Sequence, residues 1–86
     1  MISIKAANGD LYTILWAGVA NTDGILRFAI INADASSIFE TFGNPANCGT
    51  LTRIFDNIEQ QFAGYTVFRG MQINFDGSVI VSMSKS

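Results

Sequence analysis

The stretch FAGYTVFRGMQINFDGSVIVSMSK, residues 62–85, decides the fold class of this chain. From Tyr65 to Phe75 the odd positions are Tyr, Val, Arg, Met, Ile and Phe, whereas the even ones, Phe68 apart, are Thr, Gly, Gln and Asn. Alternation of this period predicts a long strand with one buried face. Asp76-Gly77 then reverses the chain. A three-residue loop, Phe75-Asp76-Gly77, puts Gly77 in the left-handed slot of a bulged hairpin. That loop pairs Ile73 with Val79 and Met71 with Val81, whereas a two-residue turn would oppose Val79 to Asn74. The segment predicts a C-terminal β-hairpin.

Its first residues pose a separate question. In one unbroken strand Phe62 and Tyr65 would point to opposite faces. Gly64 as a β-bulge would reset the alternation and bring both aromatics to the same core. Phe68 then stays on the face opposite Tyr65 and Val67, which makes it a candidate interface residue. The last strand, Ser78–Ser84, contains VIVSM with no internal Lys or Pro, so it is the candidate sheet edge, with Ile80 and Ser82 as further interface positions.

Working back toward the N-terminus, turn signals recur at short intervals: NGD at 8–10, NTDG at 21–24, GNPANCG at 43–49 and DN at 56–57. The segments between them are rich in β-branched and aromatic residues, the pattern of short antiparallel strands. Ile2–Ala7 and Leu11–Val19 form a hairpin around Asn8-Gly9, and Ile25–Asn32 follows as a third strand. A two-residue Asn-Gly turn and a three-residue loop both fit. The latter sets Ile2 opposite Trp16 and Ile4 opposite Ile14.

Residues 34–43, DASSIFETFG, predict one short helix. Asp34 caps its first turn, and Ala35, Ile38, Phe39 and Phe42 form an apolar stripe for docking on the sheet. Gly43 suits a left-handed C-cap and Pro45 forbids continuation. In TLTRIFDNIEQQFAG, residues 50–64, Leu51, Ile54, Phe55, Ile58 and Phe62 fit a helical face. They also fit a hairpin that turns at Asp56-Asn57. Periodicity alone slightly favours the helix, while Thr50, Thr52, Ile54 and Phe55 prefer strands and Glu59, Gln60 and Gln61 prefer helix.

These elements predict a single α+β domain over 1–86, mostly antiparallel. It holds about six strands in a curved sheet or a small barrel or sandwich, with one helix near 34–43. The C-terminal run, residues 50–85, resembles small uncharacterised proteins encoded by phages and prophages of Firmicutes. The shared features are a strand, a short turn, an aromatic-Gly-Tyr-Thr step and a last strand after a Gly turn, together with a helix ending in Phe42-Gly43. The resemblance implies the hairpin for 51–62 and a place among virion or tail-assembly proteins.

Composition argues against most chemistry. Hydrophobic residues are 49% and charged residues 14% of the chain, well under the roughly 25% charged of typical soluble domains. A small domain with so few charges leaves apolar side chains at its surface, the mark of a subunit or partner interface. Lys5, Arg27, Arg53, Arg69 and Lys85 are scattered and the net charge is −2, so no phosphate backbone has a basic track to follow. No run reaches the roughly 18 apolar residues of a membrane span, and no leader-like run opens the chain. The lone Cys48 permits no internal disulfide and fits a reducing cytosol.

With no histidine, the commonest general base and metal ligand is missing. Asp10, Asp23, Asp56 and Asp76 lie in turns and Asp34 at a helix start, so no carboxylate pair converges on a substrate. No catalytic, cofactor or metal residue is predicted. The expected function is a non-enzymatic interaction domain that assembles with protein partners or with its own copies. The alternative is a small-ligand-binding, barrel-like domain that uses Tyr12, Trp16 or Tyr65.

Overall fold

A computed structural model describes residues 2–6, 8–17, 23–48, 52–53 and 64–85. Its elements are β1 (Ile2–Lys5), β2 (Leu11–Ala17), β3 (Ile25–Ile31), α1 (Ala35–Thr41), α2 (Pro45–Cys48), β4 (Thr52–Arg53), β5 (Tyr65–Ile73) and β6 (Val79–Lys85). The strands form one antiparallel sheet in the order β4-β1-β2-β3-β6-β5. Five strands have four residues or more, and the two-residue β4 extends the edge beside β1. The α+β class holds, and among the described residues the sheet is open rather than closed into a barrel. The choice between hairpin and helix for 51–62 lies outside the described residues, save for Thr52–Arg53.

The C-terminal hairpin has the three-residue loop. Ile73 faces Val79 and Met71 faces Val81. Asn74 N–H donates to the Ser78 carbonyl at 2.9 Å, and Gly77, at φ +87°, donates to the Asn74 carbonyl at 3.1 Å. Asp76 Oδ1 accepts from the Ser78 N–H at 2.9 Å and pins the turn. At the N-terminal hairpin Ile4 faces Tyr12 and Ile2 faces Ile14, two residues away from the three-residue-loop register given above. A two-residue slip preserves the pleat parity, so the apolar face is unchanged.

β6 corrects the edge assignment. It runs between β3 and β5, with Phe28 opposite Val81 and Leu26 opposite Met83. An apolar strand with no Lys or Pro can serve as a central strand as readily as an unprotected edge, and Val79, Val81 and Met83 are buried. On the same face Ile4, Tyr12, Ile14, Leu26, Phe28 and Ile30 join Ile38 and Phe42 of α1 in one core.

α1 begins as expected. Asp34 Oδ1 accepts from the Ser37 N–H at 2.7 Å and from the Ser36 hydroxyl at 2.8 Å. Seven residues are too few for a helix that stands alone in water, so docking holds it. Its buried face is not the expected stripe: Ser37, Ile38, Thr41 and Phe42 are buried, whereas Phe39 is 51% exposed. At 100° per residue the helix is turned by roughly 80° from the orientation that would bury Ala35, Ile38, Phe39 and Phe42. The cause is Tyr12. Its ring lies in the core and its hydroxyl bonds Ser37 Oγ and lies 3.3 Å from Thr41 Oγ1. A buried phenol without a partner is costly, and the two helix hydroxyls satisfy it.

Two further expectations change after α1. Gly43 is not left-handed; a Cβ there would lie 2.8 Å from the Phe39 carbonyl oxygen, so close approach explains the glycine. The segment read as a loop contains a second helix, α2. Pro45 suits its first helical position, and Asn44 Oδ1 accepts from the Ala46 N–H at 3.1 Å. The proline that ends one helix starts the next.

Candidate docking edge

Among the described residues β5 is the long edge of the sheet, and its pairing with β6 is broken twice. Gly70 to Ile73 run regularly against Ser82 to Val79. The register then shifts between Phe68 and Gly70 and again between Tyr65 and Val67. Each shift reverses the alternation. Phe68 lands opposite Met83, and Tyr65 lands opposite Lys85. Tyr65, Phe68 and Met71 therefore share the core side of the sheet, and all three pack against the core.

This corrects Phe68 as an outward-facing residue. It is half-buried, and its ring meets Phe39 of α1 edge-on at 5.3 Å between centroids. Gly64 has positive φ, +80°, in the turn before β5. Whether it resets the alternation from Phe62 lies outside the described residues, and within β5 the phase shifts fall at Thr66 and Arg69. The signal was in the sequence as a spacing of three, Tyr65-Phe68-Met71, which only a twice-bulged strand can put on one face. Ile80 and Ser82 are half-buried on the central strand β6, on the face opposite Val79, Val81 and Met83. They are not edge residues.

Among the described residues three exposed large apolar side chains lie around this edge, while Leu11 and Leu15 are exposed on β2. Ile73, opposite the buried Val79, is itself 64% exposed; Phe39 stands over Phe68; and Phe75 projects from the hairpin turn. The polar groups of β5 are placed differently. Arg69, at one shift, donates from Nε to Ser84 Oγ at 2.8 Å. At the Tyr65 end the Lys85 ammonium lies 5.4 Å from the Tyr65 ring centroid. At the other end is Asp76, whose carboxyl is held below the usual aspartate value first by the Ser78 hydroxyl and then by the Ser78 N–H. The edge is positive at one end and negative at the other.

The remaining candidates have structural duties. Arg27 Nη2 pairs with Asp23 Oδ2 at 2.7 Å, and this bond is the main cause of a lowered Asp23 pKa. The Ser37 N–H does the same for Asp34. Tyr12 is sealed in the core, with its ring stacked on Phe42 at 5.9 Å. The bulge between Ile14 and Trp16 sets the Trp16 backbone opposite Ala29. Among the described residues no group of three or more Cys, Asp or Glu could hold a metal ion, and no helix is long and apolar enough to cross a membrane. Comparison with protein-family models, curated proteins and solved structures finds no match.

Proposed function

We propose that this chain is a non-enzymatic interaction domain that associates with a second copy of itself through the β5 edge. The observation that carries the reading is a sheet edge, open among the described residues, bordered by the exposed apolar side chains of Phe39, Ile73 and Phe75. Edge strands present unpaired backbone groups to another chain. Antiparallel pairing of two β5 edges would bring the Asp76 turn of each copy beside the Tyr65–Lys85 end of the other, so the charges are self-complementary. The two register shifts and Arg69 confine regular pairing to Gly70–Ile73, which keeps the contact from running on into open-ended fibres. The setting we propose, virion or tail assembly, rests on the resemblance of residues 50–85 to small phage and prophage proteins.

Of the residues a ligand-binding role would use, Tyr12, Trp16 or Tyr65, Tyr12 has its hydroxyl already bonded to α1. Sedimentation velocity of the wild type and Ile73→Lys tests the proposal. The wild type should sediment above the 9.3 kDa of one chain, and the lysine variant, folded by circular dichroism, should return to that mass. A wild type that stays at one chain mass at high micromolar concentration overturns it.

A further inference from the structure

The β1–β2 hairpin carries a reactive pair that the docking edge does not use. Asn8 and Gly9 are exposed at its tip. A glycine after asparagine leaves the peptide nitrogen open to the side-chain amide, because no Cβ stands in the way. Even a Cβ built at Gly9 would meet nothing within 4 Å, and the residue sits at φ +95°.

We propose that Asn8-Gly9 is a latent deamidation site, held shut by the closed hairpin, and that reaction there biases the hairpin open. In the reaction the Gly9 nitrogen gives up its proton and attacks Asn8 Cγ. The Cγ–Nδ2 bond breaks, ammonia leaves, and a five-membered succinimide forms. Water then opens the ring at one carbonyl or the other, giving aspartate or isoaspartate. The balance is one water consumed and one ammonia released, with no change of oxidation state.

The closed hairpin opposes the first step through three contacts. Gly9 N–H donates to the Ala6 carbonyl at 3.0 Å, which retains the proton that must leave. Asn8 Oδ1 accepts from the Asp10 N–H at 3.0 Å, and Asn8 Nδ2 donates to Asp10 Oδ2 at 3.2 Å. Both hold the amide in one orientation. After reaction one of these contacts, that of Asn8 Nδ2 with Asp10 Oδ2, turns unfavourable. A carboxylate replaces the Nδ2 donor and faces Asp10 with like charge, which disfavours closure. Isoaspartate also adds a carbon to the main chain of a loop that Ala6 N–H closes onto the Asp10 carbonyl at 2.8 Å.

Incubation at mildly alkaline pH, folded and in urea, with peptide mass spectrometry and an isoaspartate assay at Asn8, tests the first half. The folded chain should react at least about tenfold more slowly, the factor supplied by about 1.4 kcal/mol of opening free energy. Amide exchange in Asn8→Asp tests the second: the Ala6 amide should exchange severalfold faster than in the wild type. A folded rate equal to or above the unfolded one overturns the proposal, as does unchanged exchange at Ala6.

Discussion

Replacing Tyr12 by Phe keeps the ring in place and removes one oxygen, which isolates the bond that orients α1. Tyr12 is fully buried, and Ser37 and Thr41 are buried beside it. Losing the bond costs about 0.5–1.5 kcal/mol, and an unsatisfied Ser37 hydroxyl adds a desolvation penalty of order 1–3 kcal/mol, reduced where the hydroxyl can turn to a backbone carbonyl. Thr41 keeps other interactions, so Ser37 bears most of the loss. Together these give at most about 1.5–4.5 kcal/mol, a large share of the roughly 5–10 kcal/mol that stabilises a domain of this size. Urea denaturation of Tyr12→Phe, Ser37→Ala and the double variant forms a closed cycle. The double variant should cost less than the two singles added, by about 0.5–1.5 kcal/mol, because removing both partners leaves neither stranded. Additivity to within about 0.3 kcal/mol would mean that the hydroxyls do not meet and that the orientation of α1 has another cause.

The rotation of α1 also separates two phenylalanines. Phe42→Ala should cost about 3–5 kcal/mol as a core deletion, while Phe39→Ala should lose little more than its edge-on contact with Phe68, about 0.5–1.5 kcal/mol; equal costs by urea denaturation would contradict the orientation. Asp23, Asp34 and Asp76 all have folded pKa values below the ordinary 3.8. Their stabilisation is therefore complete above that value and is lost as pH falls through the lower folded values. The urea midpoint should hold steady down to about pH 5 and decline through the acid range below it. Asp34→Asn, which keeps a capping oxygen, should decline less steeply than the wild type, and parallel curves would deny the Asp34 share.

The parts of the fold legible in the sequence are those where local rules and burial agree. The β5–β6 turn was readable because Gly77 needs a left-handed conformation and only one loop length pairs Met71 with Val81. Asp34 was readable because a cap is a local device. The orientation of α1 was not, since a count of apolar positions gives no weight to Ser37 and Thr41, and the partner that buries them, Tyr12, is 25 residues away from Ser37. The identity of the edge was missed for a related reason. Strand order is a property of the whole sheet, and an apolar VIVSM reads alike as an unprotected edge or as a strand between two neighbours. The proposed docking edge was half visible. Its aromatics stand out, but the side each one takes depends on two register shifts that obey no alternation.

Amide hydrogen exchange followed as a function of protein concentration tests the β5 docking account most directly. Association through β5 predicts that the amides of Met71 and Ile73, which alternate with the β6-bonded positions and face the open edge, gain protection as concentration rises from low to high micromolar, while those of β3 and β6, already paired on both sides, stay unchanged. The same amides should lose that gain in Ile73→Lys. Exchange at Met71 and Ile73 that is fast and independent of concentration would contradict the account.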